Sequence, residues 1–204
     1  MKGDFSVGEL MKVAEMLLHK KMDREDAKHM LSISEIKRYE KGDTIVGINE
    51  ILNHTGFVLD GIVRSYYLDM EGNEITKNFH REHFLFMDEG LIGYKKSICA
   101  YEAVEDVVIM LFDTRKLKEL IMERETLKDL YIAVLEKGIR YKIYRENEFL
   151  INNATERYVQ FRKDYPELQG RVKQSYISTY LGIAPESLSR IRKALKEEGG
   201  EMYD

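Results

Sequence analysis

Between residues 174 and 193 the chain reads QSYISTYLGIAPESLSRIRK, and its Ser187, Ser189, Arg190, Arg192 and Lys193 gather hydroxyl and cationic side chains on one short stretch. On a helix, such groups can donate to base edges in a DNA major groove and to the flanking phosphates. An apolar skeleton of Ile177, Leu181, Ile183, Leu188 and Ile191 would present them. Ile177 and Leu181 stand four apart and Leu188 and Ile191 three apart, so each segment has one stripe to bury, with Ile183 plugging the corner between them. Gly182 follows the last apolar residue of the first segment, where a left-handed conformation ends a helix without a Cβ clash. Pro185 suits the first turn of the second, whose early N–H groups lack internal partners. The spacing predicts a helix-turn-helix. The plainer alternative is a helical hairpin with a merely solvated outer face; five apolar positions in register with a bend glycine and a helix-opening proline favour the DNA reading.

Other residues offer less chemistry. His80 and His83, with His54 elsewhere, invite a metal, but side chains three apart on an extended strand point to opposite faces and no remaining ligand set is identifiable. No metal site is expected. Cys99, the single cysteine, excludes an intrachain disulfide and a four-cysteine iron–sulfur or zinc cluster, and its neighbour Ile98 suggests a buried small hydrophobe. There is no nucleophile with a recognisable base, no phosphate-cradling glycine loop and no paired-carboxylate motif. The chain is expected not to be an enzyme, and no cofactor is identifiable; an unknown small-molecule effector is left open.

The elements that must position the basic helix are legible as a change of periodicity along the chain. Residues 6–19 place Leu10, Val13, Ala14, Leu17 and Leu18 at helical spacing behind a Ser6 cap with Glu9 three residues on. A second short helix is expected over residues 23–31. From about Ser32, short segments rich in β-branched and aromatic residues alternate with glycine turns at Gly42, Gly61 and Gly72, the pattern of a β-sandwich or roll. The stretch 61–79 reads as a hairpin turning at Met70 to Asn73, and residues 100–113 as a last strand. Asp113 can cap a helix beginning at Thr114; after a break near Glu123 a long proline-free helix runs to about Asn152. Along it Leu127, Leu130, Val134, Tyr141 and Tyr144 recur at heptad-like spacings, with Gly138 allowing close approach. Part of this stripe lies on the chain's own β-domain, but a stripe running the length of a linking helix is expected to be a dimer interface. One more helix, over 153–165, closes at Pro166.

With 204 residues, 44% of them hydrophobic, the chain can bury one large core or two modest ones. No run approaches the ~18 apolar residues of a membrane span and no apolar signal core follows the first lysine, so a cytoplasmic protein with no membrane partner is expected. The net charge of −4 conceals an asymmetry: residues 1–150 carry 23 Lys+Arg against 28 Asp+Glu, whereas residues 152–193 carry 8 against 4. Only that local excess can meet phosphates, and its modest size predicts salt-sensitive binding by each copy.

YEKGDTIV (39–46), the hairpin from Gly61 to Gly72, EAVED (102–106), ATERYVQFRKDYPEL (154–168) and YISTYLGIAPESLSRIRK (176–193), in this order, resemble the cyclic-AMP receptor and fumarate–nitrate regulator (Crp/Fnr-type) superfamily of bacterial transcription factors over nearly the whole chain. The resemblance implies an α+β architecture: N-terminal helices and a cyclic-nucleotide-binding-like β-roll sensor (1–113), a connecting and dimerisation helix (114–152) and a C-terminal (winged) helix-turn-helix (153–204). It implies a homodimer on a symmetric double-stranded DNA operator, in contact with RNA polymerase. The family's base-reading positions fall at Pro185, Glu186 and Arg190. Glu186 can accept from a cytosine amino group and Arg190 can donate twice to guanine O6 and N7, worth about 1–3 kcal/mol of discrimination. Pro185 departs from the arginine common in the cyclic-AMP receptor. Ser187 and Ser189 would add phosphate or base contacts, while Lys173, Ser175, Tyr176, Arg192 and Lys193 would hold the backbone. After Lys196 only EEGGEMYD follows, short for the wing of many relatives.

In the sensor the resemblance places Glu89, Tyr94 and Ser97 at the effector pocket, with Ser97 where cyclic-nucleotide binders carry their phosphate-holding arginine. Lys95 and Lys96 are near in sequence, but a flexible ammonium does not replace a guanidinium fork, so cyclic AMP is not the expected effector. Two functions remain open: a dimeric DNA-binding regulator, or a small-molecule-binding β-roll whose helical tail contacts proteins. A cupin-type metal enzyme is a distant third.

Overall fold

Ser6 opens the first helix by accepting the Glu9 N–H while the Glu9 carboxylate takes the Ser6 N–H, a reciprocal cap that starts α1 (Val7–Leu18). Asp23 does the same for α2 (Arg24–Ser32), accepting the Asp26 N–H at 2.8 Å. The computed structural model describes residues 5–199; the last residues of EEGGEMYD, on which the expectation about a wing depends, lie outside them.

Eight strands follow: β1 (Ser34–Tyr39), β2 (Thr44–Val46), β3 (His54–Asp60), β4 (Val63–Leu68), β5 (Glu74–His80), β6 (Leu85–Phe86), β7 (Ala100–Ala103) and β8 (Val107–Asp113). They pair antiparallel into two four-stranded sheets, β1-β8-β3-β6 and β2-β7-β4-β5, an antiparallel roll as expected. The hairpin of β4 and β5 turns on Asp69, whose carboxylate accepts the Glu71 and Asn73 N–H groups. Gly61 turns β3 into β4 at φ 90°, and a Cβ there would meet the Asp106 carbonyl at 2.7 Å. The single strand expected over 100–113 is instead two, one in each sheet. The chain crosses between them where the Val104 N–H donates to Ile62 O and the Asp106 carboxylate takes the Lys41 N–H. β6, two residues long, carries too little pattern to be read from sequence.

Asp113 caps α3 (Thr114–Glu123) through the Lys116 N–H. At Arg124 the backbone is extended, and its guanidinium reaches back 3.0 Å to the buried Asp26 carboxylate of α2, which places the expected break before α4 (Glu125–Ile151). Asn153 caps α5 (Ala154–Asp164) with a second reciprocal Glu pair. Pro166 opens one 3-10 turn (Pro166–Leu168) leading to α6 (Gln174–Tyr180) and α7 (Pro185–Gly199). Among the described residues no helix is long and apolar enough to cross a membrane.

Three apolar clusters hold these elements. Inside the roll, Val58, Val63, Phe86, Tyr101, Ile109 and Leu111 meet face to face. Alternation along β3 and β8 turns Phe57, Met110 and Phe112 to the opposite face, where they pack against Leu10 and Val13 of α1, Leu117 of α3, and Leu127 and Leu130 of α4. The third cluster joins Ile62, Phe79 and Val104 of the roll to Phe161, Ile177, Leu181 and Leu188 of α5–α7. The C-terminal helices therefore dock on the roll through a shared core.

Candidate functional site

Local chemistry shapes the C-terminal helix pair. Leu181 caps α6, and Gly182 takes φ 66°, allowing the Ile183 N–H to reach Ser178 O. A side chain at Gly182 would also collide with the Phe149 ring at 2.7 Å, so this position answers both to its backbone angle and to the end of α4. Ile177, Leu181 and Leu188 are buried, and Ile183 and Ile191 pack against them half-buried. Leu195 extends the α7 stripe, and Tyr180 completes that of α6; neither had been picked out, because one lies a turn beyond the motif and the other ends in a hydroxyl.

On the other side of α7, Glu186, Ser189, Arg190, Arg192 and Lys193 are exposed, and Ser187 is half-exposed. Arg190 donates to Ser187 Oγ at 3.4 Å within its own helix, and Lys193 faces Glu197 at 3.9 Å. Lys173 and Ser175 are exposed at the start of α6. Tyr176 departs from the expected phosphate contact: its hydroxyl donates to Glu102 of β7, and its ring lies 3.7 Å from the Arg64 guanidinium. Facing the roll, it is committed within the chain. Arg64 itself is wholly buried, donating to Thr76, Glu74 and Glu102, and nothing in its sequence neighbourhood distinguished it from a solvated strand arginine.

Within the roll the effector residues separate. Glu89 and Ser97 are both buried near Cys99, whereas Tyr94 is 47% exposed, its backbone N–H donating to the Glu89 carbonyl at 3.0 Å. The cation facing Glu89 is Lys77 of β5, 2.5 Å away, with the Tyr101 hydroxyl donating to the other carboxylate oxygen at 2.7 Å. Burial alone would raise the Glu89 carboxyl, but Lys77 and Tyr101 outweigh it and hold its pKa below the usual value; burial likewise opposes the Lys77 charge, and Glu89 overcomes it. Burial, then the Glu89 charge, keep Tyr101 protonated. Lys77 was not legible as a site residue because only strand pairing brings it from β5 to a glutamate on another loop. Its charge is paired with Glu89.

His80 sits beside this pair. Its Nδ1 lies 3.1 Å from Leu85 O and its Nε2 3.0 Å from Ser65 Oγ, so the neutral ring donates to the carbonyl and accepts from the serine. Burial, reinforced by Lys77, lowers its pKa to about 4. Both ring nitrogens are thereby occupied, and His83 stacks on Phe57 instead. Cys99 is buried in the roll core, its thiol pushed up by burial. Among the described residues no group of three or more His, Cys, Asp or Glu side chains is placed to hold a metal ion.

Helix α4 redistributes the expected dimer seam. Leu127 and Leu130, 2% and 6% exposed, belong to the chain's own core. Val134 is half-buried, and the Tyr141 hydroxyl lies 3.1 Å from Asn78 Oδ1 and 3.2 Å from the Tyr180 hydroxyl. Tyr144 donates to Asp164 at 2.7 Å. That face makes contacts within the chain, with Tyr144 still 38% exposed. The opposite face carries Ile132, Ile139, Ile143 and Leu150 at spacings of seven, four and seven, exposed by 52%, 57%, 60% and 74%. Gly138 lies exposed, with open space where a Cβ would stand.

Residues 36–124 match the cyclic nucleotide-binding domain family. No curated protein sequence matches the chain. Among solved structures it is similar to FixK2 from Bradyrhizobium japonicum, with 22% identity, TM-score 0.73, 82% of this chain and 86% of that one. It is also similar to a chain assigned to the Crp/Fnr family of transcriptional regulators from Eubacterium rectale (16%, 0.71, 87% and 85%). A third is CLP, the c-di-GMP-responsive global regulator of Xanthomonas campestris (17%, 0.70, 87% and 93%).

Proposed function

We propose that this chain, whose residues 36–124 match the cyclic nucleotide-binding domain family and whose fold is similar to that of a Crp/Fnr-family chain, is a sequence-specific regulator that binds double-stranded DNA as a homodimer and answers to an effector other than cyclic AMP. The sensor spans 1–113, the dimerisation helix 114–152 and the DNA-binding unit 153–204. The observation that carries the DNA reading is the outer face of α7: Glu186, Ser189, Arg190, Arg192 and Lys193 stand exposed on a helix whose inner face is anchored by Leu188 and Leu195. Arg190 reads guanine and Glu186 cytosine, while Lys173, Ser175, Arg192 and Lys193 take phosphates. The copies meet along Ile132, Ile139, Ile143 and Leu150, an apolar stripe more than half exposed among the described residues. Two recognition helices then read a symmetric site, and RNA polymerase is the further partner of the bound dimer.

Against cyclic AMP stands the Lys77–Glu89 pair, which commits the half-buried cation nearest Glu89, with serine at 97 in place of a guanidinium. Fluorescence anisotropy with DNA from the region upstream of the gene tests the proposal. A sequence-preferring complex at low salt is expected, and Arg190→Ala relaxes discrimination at one base position per half-site by about 1–3 kcal/mol. Equal affinity for all sequences, or an Arg190→Ala variant identical to the parent, would sink it and favour a ligand-binding roll with a protein-contacting tail.

A further inference from the structure

Between the roll and helices α1, α3 and α4 lies a cavity of about 660 Å³, which runs from the outer face of β3 and β8 to Tyr67, Lys77 and His80. This size is in the range of small-molecule sites, ~300–1,000 Å³, and far beyond the packing voids of a protein core. Its depth is walled by Val13 and Leu17 of α1, Phe57 and Phe112 of the roll, Leu117 of α3 and Leu130 of α4. The chemistry reverses at the other end, where Lys77, Arg81, Lys137, Lys142 and Arg145 line it against the one carboxylate of Asp88. Several of these cations are already engaged. Lys77 belongs to Glu89, Arg81 to Glu167, and Arg145 donates to Tyr180 O.

Lys137 differs. Among the described residues it has no carboxylate in ion-pair contact, and it shares the Phe84 ring with Arg81, its Nζ and the Arg81 Cζ each 4.8 Å from the centroid. Burial and then the Arg81 charge lower its pKa, the mark of a cation held where it is poorly solvated and repelled. Two like charges gathered on one ring at the mouth of an apolar cavity are matched by an anion with an apolar body. We infer that this cavity binds an anionic amphiphile, a single carboxylate on an aliphatic chain, with the head between Lys137 and Arg81 and the chain between α1 and α4.

Arg81 gives the site an output. Its guanidinium also holds the Asp164 carbonyl at the end of α5 and Glu167 in the turn that follows it. A carboxylate at Arg81 competes with that clamp and so loosens the docking of the helices proposed above to read DNA. Only this consequence rests on the DNA-binding reading; occupancy can be measured without DNA.

Isothermal titration of the full chain with decanoate, below its micellar range and at low salt, tests the site. One decanoate per chain is expected. Lys137→Gln should weaken it roughly tenfold, Lys137→Arg should restore it, and decanol, with the same chain and no charge, should bind roughly tenfold more weakly than decanoate. Ala14→Phe, which places a ring in the wall of the cavity, should abolish the heat; circular dichroism and thermal melting show whether it still folds, and the Lys137 pair decides the matter if it does not. No binding of decanoate, equal binding of decanoate and decanol, or an affinity indifferent to Lys137→Gln overturns the inference. Decanoate binding in a protein that prefers no DNA sequence would sink the function proposed above and leave this site standing.

Discussion

Protonation of His80 would set a buried charge beside Lys77 and break the hydrogen bond that the ring accepts from Ser65. The unfolded chain takes this proton near pH 6.5 and the folded chain only near 4, so between those values the unfolded state binds more protons. The contribution of the neutral ring is thus fully present above pH 6.5 and is lost as pH falls toward 4, up to roughly 3 kcal/mol in all. Urea unfolding at pH 7.5 and pH 5 should show the parent losing about 2 kcal/mol more than His80→Gln; matching losses would mean that the ring is solvated. At this scale, residues whose role is local were legible. Ser6 and Asp113 cap helices as their spacing implies, and Gly182 takes the left-handed turn its place in the motif requires. Arg64, Lys77 and Arg171 were not, because their partners lie on other elements.

Among the elements, α4 carries apolar residues on two opposite faces. Both of its long sides are apolar, Leu127, Leu130, Val134 and Tyr141 on one and Ile132, Ile139, Ile143 and Leu150 on the other, so periodicity alone cannot say which side meets the roll. Packing decides it: α1 and α3 bring Leu10, Val13 and Leu117 against the first set. The two faces therefore answer differently to substitution. Ile139→Glu with Ile143→Glu should give a monomer by light scattering with unchanged helical content, a dimer surviving both being contrary to the proposed interface. Leu130→Ala should leave the dimer intact and cost about 2–5 kcal/mol of stability in denaturant titration.

Across the whole molecule, the C-terminal helices are held to the roll by the cluster of Ile62, Phe79 and Val104 with Leu181 and Leu188. Polar ties surround it: Arg171 donates to Glu82 and Glu105, Arg81 to Glu167, and the Thr76 N–H to Thr179 Oγ1 at 3.2 Å. Arg171 and its partners are each about a third exposed, so the pair is worth only about 1 kcal/mol. It can thus serve as a releasable tie over an apolar seat. Hydrogen exchange of Arg171→Ala should quicken several-fold in α6 and around residues 102–105 while α1 and α3 stay unchanged. A uniform change would assign Arg171 to global stability. The basic excess of residues 152–193 is also smaller in effect than its count, since Arg171 is neutralised by acids of the roll and Arg157 donates to the Leu181 and Asn152 carbonyls.

The sequence by itself determined the helices in their order, the roll with its glycine turns, the helix-turn-helix and the polar outer face of α7, but not β6 or the division of residues 100–113 into two strands. These follow from caps, turn residues and periodicity, which act within a few residues of chain. Only the tertiary structure decided which face of α4 is covered, that Tyr176 is taken up by Arg64 and Glu102, that Lys77 neutralises Glu89, and that a cavity with a cationic mouth opens between α1 and α4. Each of these depends on side chains that strand pairing and helix docking bring together across tens of residues, and such pairings leave no periodic mark in the chain.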